Sequence, residues 1–452
     1  MSEVSLPSKS SHSGDFVARL VGPGIWSLAI KVLSAGLSYI MLVIFARLMP
    51  PSEYGRFAFS FNLAIFLSAI FGFGFPTGIT RLWPEYRAKN KPGIALGILR
   101  VGLQATVTGS LALVAGSVLL VLASSIWPAL SFSRNITAIA LFAAATGFGD
   151  FFAATLRAQG QTIWSMAPRD VIWRIVAPLV AVLAVWLGFA MNHGTAVYLC
   201  ATLLLAICCI QALRIRHSIR EAGVAASAET EWPSWRKSLL TMWAAAIVYT
   251  MIQQLDVVIV GSLLSNEDAA GYFAAQKTAS LLGLVMIAGG LAYAPIMASF
   301  YHAGKIAELR SLCRHLVLAI SIVTLLGFGF VTLAGGQLLS LFDPSFVSAY
   351  GVLIILAVGF SIDAIAGPTA YLMQMTSYEG AYLKIMLTCY GGVVLAQFML
   401  IPHYGIIGAA LASAGGTILW NVWAIFLLRS KAGIDPSILS FLLPLAPKQH
   451  GP

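Results

Sequence analysis

Leu111-Ala112-Leu113-Val114-Ala115-Gly116-Ser117-Val118-Leu119-Leu120-Val121-Leu122-Ala123 is the stretch on which the fold class turns. It carries no charge, and its apolar residues do not alternate with polar ones. A strand of a membrane barrel turns successive residues to lipid and to lumen, so it needs a period of two. Backbone placed in hydrocarbon must satisfy its own hydrogen bonds, and without that alternation the remaining solution is a helix. Comparable runs recur along the 452 residues, at 24–47, 57–80, 98–123, 136–156, 171–190, 195–213, 238–263, 274–300, 316–339, 350–375, 384–401 and 405–428. Each is close to the ~20 residues that cross a bilayer. The expectation is an all-α integral membrane protein with about 12 transmembrane helices.

Composition agrees. Hydrophobic residues make up 59% of the chain and charged residues 10%, against roughly 25% charged in a soluble domain, which excludes a soluble enzyme. A formal charge of +10 would raise the question of nucleic acid in a soluble chain. Here the basic residues lie in short connections, so topology accounts for them and no nucleic-acid partner is expected. The N-terminal tail, the even-numbered connections and the C-terminal tail carry 22 Lys and Arg, the opposite side carries 4, and Lys31 lies inside the first span. That bias places both termini in the cytoplasm. Residues 1–15 are Ser-rich without an apolar core, which reads as a disordered cytoplasmic tail rather than a cleavable signal. Cys200, Cys208, Cys209, Cys313 and Cys389 show no metal-ligand spacing, and most sit in apolar runs where a thiol behaves as a small hydrophobe.

The longest internal connection, Arg214 to Lys237, falls midway and divides the chain into a six-helix lobe at 16–213, a cytoplasmic linker at 214–237, a second six-helix lobe at 238–428 and a cytoplasmic tail at 429–452. The halves share a signature at an offset of 216 residues: Leu48, Gly55, Phe57 and Ala58 coincide with Leu264, Gly271, Phe273 and Ala274 in equivalent loops. Six spans return the chain to its starting side, so the repeats are parallel and related by an axis along the membrane normal. The second span contains Gly72, Gly74, Pro76 and Gly78, and the eighth contains Gly283, Gly289, Gly290 and Pro295. Interrupted helices in corresponding positions of two halves point to a transport site, although Gly also serves close helix packing.

These segments carry a resemblance. Phe45-Ala46-Arg47-Leu48 with Glu53-Tyr54-Gly55, then Gly78-Ile79-Thr80-Arg81 and Glu85-Tyr86, is similar to the opening of the polysaccharide transporter family of lipid-linked oligosaccharide flippases. Leu255-Asp256-Val257-Val258-Ile259-Val260-Gly261, followed by Ala270-Gly271-Tyr272-Phe273-Ala274-Ala275, resembles that family's second-half signature. The resemblance implies a two-lobed carrier that opens alternately to each side of the membrane, in a superfamily with lipid II flippases and multidrug and toxic compound extrusion antiporters. It implies a substrate of undecaprenyl-diphosphate-linked glycan, a place in a bacterial inner membrane, and a role in making O-antigen, capsule or exopolysaccharide. Membrane lipids, polysaccharide polymerase and glycosyltransferases are then the expected partners.

A diphosphate-sugar headgroup crosses hydrocarbon only along a wet, cationic path, because burying charge without partners is costly. In the first span Ser27, Lys31, Ser34 and Ser38 recur at helical spacing on one face. Lys31 on that polar stripe is the first candidate for the substrate contact, with snorkelling to the cytoplasmic surface as the competing reading. Arg47 at the outer end of the first span, Arg81 at the inner end of the second and Lys277 near the outer start of the eighth extend the series. Arg100 and Arg174 are weaker members, and any of these basic residues at a span end also serves as an interface anchor. Among the acids, Asp256 shares a face with Tyr249 and Gln253 in the seventh span, and Asp363 lies in the tenth. Each is a candidate partner for a buried cation or a proton or sodium site, the alternative for Asp256 being a hydrogen bond to Gln or Tyr inside the lobe. Asp150 lies seven residues before Arg157 and can pair with it. His193, His302, His315 and His403 fall at loops or span ends, away from any relay.

No nucleophile constellation and no phosphate-binding Gly loop before a helix-start Lys is present, which argues against an enzyme and against a self-contained ATP pump. No organic cofactor or metal is expected. Beside the flippase stand a cation-coupled exporter of small amphiphiles, which would have an acid-dominated cavity, and a non-transporting scaffold for glycan assembly, which gains nothing from intramembrane charge. The major facilitator type shares the span count, but its basic motif is absent from the connection Arg81 to Lys91.

Overall fold

The computed structural model describes residues 12–126, 135–221, 227–375 and 378–441, and every regular element among them is helical. The first half comprises α1 (His12–Leu48), α2 (Pro51–Phe71), α3 (Phe75–Ala88), α4 (Pro92–Ile126), α5 (Ile136–Ala158), α6 (Thr162–Met166), α7 (Trp173–Trp186) and α8 (His193–Glu221). The second comprises α9 (Trp232–Leu263), α10 (Asn266–Ser280), α11 (Leu284–His302), α12 (Ile306–Phe342), α13 (Tyr350–Ile365), α14 (Thr369–Met375) and α15 (Glu379–Leu427). Nine helical stretches among the described residues are long and apolar enough to cross a membrane. Two further crossings are interrupted helices, α6–α7 and α10–α11. α15, already one of the nine, supplies one more, because Gly405 at φ 57°, ψ −140° breaks it into two crossings. The twelve expected spans are all accounted for.

The breaks have local causes. Between α2 and α3 the chain passes through Phe73 and Gly74 at φ 47° and 74°, which ends one helix and re-aims the next. A Cβ on Gly74 would lie 2.5 Å from the Leu239 carbonyl oxygen, so the turn needs both the left-handed conformation and the missing side chain. Between α6 and α7 the helix widens into a π-turn, Ala167–Ile172. Pro168 in that turn has no N–H to donate and its ring crowds the preceding turn, a usual reason for such widening. In the eighth span the interruption is a 3-10 turn at Leu281–Gly283, earlier than Gly289, Gly290 and Pro295, which lie in the unbroken α11.

Small residues let the helices approach. α5 presents Ala143, Ala145, Gly149 and Ala153, and it packs on α8 through Cys200, Ala201 and Leu204, as membrane interfaces without a hydrophobic driving force require. The two repeat loops meet at one end of the helices, the end that the basic bias places outside. Gly55 in the first turn of α2 stands so close to α10 that a Cβ would fall 1.7 Å from the Asn266 carbonyl oxygen. Around this contact Tyr54 packs against Phe273, Phe342 and Phe346 with ring centroids 6.0, 6.3 and 5.9 Å apart. Arg47 closes the same seam, donating to the carbonyls of Leu341 at 2.7 Å and Ser340 at 2.5 Å. Those carbonyls belong to the last turn of α12, where free acceptors and the helix dipole both favour a cation.

Three expectations about the connections change. α1 begins at His12, so only residues 1–11 of the expected disordered tail lie outside the described residues. The linker is shorter than 214–237, because α8 continues to Glu221 and α9 starts at Trp232. The strand of chain before α9 is docked, with Glu229 N–H donating to Gly93 at 3.0 Å and Trp235 fully buried among Tyr86, Ile94 and Ile98. The C-terminal segment also packs, since Arg310 donates to the Gly433 carbonyl and Asp435 pairs with Arg429 at 3.2 Å.

Candidate functional site: a cationic cavity between the lobes

Because Lys31, Ser34 and Ser38 recur at spacings of three and four residues, α1 carries them on one face, and that face lines a cavity of about 270 Å³. Arg174 from α7 and Lys277 from α10 complete its polar lining, with Tyr39 and Ser280 beside them. No Asp or Glu lines this cavity among the described residues. Lys31 Nζ lies 3.4 Å from the Asp170 carboxylate, and Arg174 reaches the same carboxylate at 3.3 Å. The Arg174 guanidinium also donates to the Asp170 carbonyl at 2.8 Å and to the Ser34 hydroxyl. Neighbouring Arg169 pairs with Asp150.

The π-turn is what makes this cluster. It brings Asp170, four residues before Arg174, under the cationic face of α1, across 139 positions of sequence from Lys31. Lys277 stands on the other lobe with its ammonium 5.1 Å from the Phe273 ring centroid, and among the described residues it has no ion pair. Its neighbour Thr278 meets the Tyr39 hydroxyl at 3.3 Å, which also donates to the Leu338 carbonyl at 3.4 Å.

The structure therefore brings Lys31 and Lys277 to one cavity but not Arg47 or Arg81. Arg47 sits in the seam beside Tyr54, and Arg81 is exposed midway along α3. The cavity is lined from the first, fifth and eighth spans, whereas the interrupted helices in the sequence pointed to the second and eighth. Spans 2 and 7 are packed on each other instead. Trp243 Nε1 donates to the Ile70 carbonyl at 2.7 Å, and the Trp243 ring lies 5.6 Å from that of Phe73.

Asp150 finds Arg169 rather than Arg157, because seven residues along a helix separate two side chains by about 10 Å. Asp256 is held inside the second half by Gln397 and Ser413, each at 2.7 Å, and by the Tyr272 hydroxyl at 3.3 Å. Asp363 accepts from Asn421 at 2.8 Å. Ser413 and Asn421 lie two turns apart on the last span, so one helix face serves both acids. Asp170 is the member of this charged cluster that sequence reasoning missed. The spacing Arg169-Asp170 to Arg174 beside Pro168 was the available signal.

The family described as polysaccharide biosynthesis protein matches residues 21–301, and that described as MatE matches residues 242–399. No curated protein matches the sequence. Among solved structures, the inward-facing conformation of a multidrug resistance MATE family transporter is 14% identical, covering 88% of this chain and 94% of its own, with a TM-score of 0.69. The outward-facing conformation of a MATE family transporter of the MOP superfamily is 14% identical, with coverage of 92% and 95% and a TM-score of 0.62. A MOP superfamily transporter from Pyrococcus furiosus, described as having reverse polarity of its binding pocket, is 15% identical, with coverage of 92% and 95% and a TM-score of 0.62. At such identities the likeness speaks to the fold alone. The first match spans well over half of the chain, and on that ground the chain belongs to the polysaccharide biosynthesis protein family.

Proposed function

We propose that this protein is a flippase that carries undecaprenyl-diphosphate-linked oligosaccharide from the cytoplasmic to the periplasmic leaflet of a bacterial inner membrane by alternating access. The observation that carries this reading is the cavity wall of Lys31, Arg174 and Lys277 with Asp170 as the one acid in contact with it among the described residues. Three cations and one anion leave a net charge of +2, which matches the two ionised phosphates of a lipid-diphosphate-sugar. Cations from both lobes face one space, so a bound diphosphate would draw the lobes together through charge-assisted hydrogen bonds. The sealed outer seam at Arg47 and Tyr54 fits a carrier waiting for substrate from the cytoplasmic side.

The exporter of small amphiphiles is the second reading, supported by the MatE match over residues 242–399. A cationic cavity suits an anion better than the cationic compounds such an exporter would take. Asp256 and Asp363, set apart from the cavity, are where proton or sodium coupling would act in either case. Polymerase and glycosyltransferases remain the partners this reading calls for.

The test is export of lipid-linked glycan by Lys31→Ala and Lys31→Arg proteins in cells lacking their own flippase. Lys31→Ala should reach the membrane and lose export, and Lys31→Arg should keep part of it, because charge persists while geometry changes. Normal export by well-expressed Lys31→Ala would refute the substrate role.

A further inference from the structure

Asp170 has no evident reason to be where it is if the cavity exists only to attract an anion. It lowers the positive charge of the wall, and it occupies the two cations best placed to receive a phosphate. Its own side chain is only 14% exposed, whereas that of Lys31 is 43% exposed. The acid thus sits behind the cations, out of the cavity lining, and pulls them back from the space they face. Resting on the flippase reading above, we propose that Asp170 is a built-in competitor for the substrate's phosphates, which makes the cavity select lipid diphosphate esters over lipid monophosphate esters.

The argument is one of charge and tethering. A lipid-phospho-sugar carries one ionised phosphate and a lipid-diphospho-sugar carries two. A single phosphate entering the cavity offers Lys31 and Arg174 no more than the carboxylate they already hold. Asp170 is also fixed by the chain within 3.3–3.4 Å of both, so it competes at the high effective concentration of an intramolecular partner. A diphosphate can displace it, because its second phosphate gains Lys277, which has no acid partner among the described residues. The displaced carboxylate is not stranded, since Arg169 is adjacent in the chain and the π-turn that holds both is the least regular part of the span. When the lobes part toward the outside, Lys277 leaves the phosphates, and Asp170 reclaims Lys31 and Arg174. The same residue thereby favours discharge of the substrate.

A merely neutralising acid, present so that two cations can be buried, predicts loss of protein when it is removed and no change in selectivity. The two roles separate in binding measurements on the full chain in nanodiscs. The probes are farnesyl-diphospho-N-acetylglucosamine and farnesyl-phospho-N-acetylglucosamine, which share lipid and sugar and differ by one phosphate. The wild-type protein should prefer the diphosphate by about tenfold or more, which is ~1.4 kcal/mol. Asp170→Asn should shrink that preference to about threefold or less, chiefly by tighter binding of the monophosphate, while Asp170→Glu should keep it. An unchanged preference in folded Asp170→Asn overturns the competitor role with the flippase reading intact. Should Asp170→Asn fail to accumulate, the wild-type ratio still decides, because equal binding of the two probes overturns the role on its own. Failure of wild-type protein to bind either probe overturns both this role and the flippase reading.

Discussion

Gly55→Ala should wedge the outer seam open. Gly55 has an ordinary negative φ, so alanine meets no backbone penalty there, and the effect is steric. The added Cβ would stand 1.7 Å from the Asn266 carbonyl oxygen and 2.6 Å from its carbon. Ordinary contact begins at about 3.4 Å, so α2 and α10 must separate by close to 2 Å at this point. Overpacking of that kind costs about 1–3 kcal/mol, and the cost falls only on the state in which the two loops touch. A bias of that size moves a two-state equilibrium by about 5- to 150-fold, here toward the outward-open state. The reporter is Ser38→Cys on the cavity wall, in a protein whose exposed native thiol, Cys209, is replaced by serine. An impermeant maleimide added outside should label it slowly in the parent and much faster in Gly55→Ala. Gly271→Ala, the repeat mate, is the control, because its Cβ meets only the Ala349 methyl at 3.3 Å. Equal labelling in all three would refute the idea that the Gly55 contact closes the outer side.

Two further outcomes follow from the same geometry. Arg47→Ala removes two hydrogen bonds to the last turn of α12, and because the residue is exposed its loss should weaken the closed seam by only about 1–2 kcal/mol, raising outside labelling of Ser38→Cys without lowering protein level. Thr230→Cys, exposed just before α9, should react with impermeant reagent only after cells are permeabilised. Labelling in intact cells would invert the orientation drawn from the basic bias.

The spans were legible because hydropathy runs of this length have one physical solution, and the first copy of the repeated signature was legible as a contact segment, since Gly55 meets Asn266 and Tyr54 beside it packs on Phe273. The cavity was legible in part. Lys31 with Ser34 and Ser38 declared a polar face within one helix, where period alone decides what shares a side. Asp170 escaped, and Arg174 stood only as a weaker member of the series, because three charges within positions 169 to 174 look like a loop to any residue-by-residue scale. Their pairing with Asp150 and Lys31 offsets the insertion cost, and pairing between helices cannot be read from spacing within one. Arg47 was misjudged for the same reason. Its partners are backbone carbonyls almost 300 positions away, and a backbone acceptor has no signature in sequence. Asp256 showed its character but not its partners, since Gln397 and Ser413 come from two separate passes of α15.

The close packing of α2 and α3 against α9 gives the molecule a spine. Ile70, Phe73 and Gly74 meet Trp243, Gly78 meets Leu239, and Phe59 continues the contact toward Gly261. A book bound along one edge opens only along the other, and here the other edge is where α1, α7 and α11 border the cavity. That edge is greasy on its outside, with Leu179, Leu183 and Trp186 exposed on α7 and Ile287 and Ile296 on α11. On the flippase reading such a binding resolves a practical difficulty of the cargo. A polyprenyl chain far too large for a cavity of about 270 Å³ never has to enter it. The headgroup is turned over between the pages while the lipid tail stays outside the fore-edge, in the bilayer.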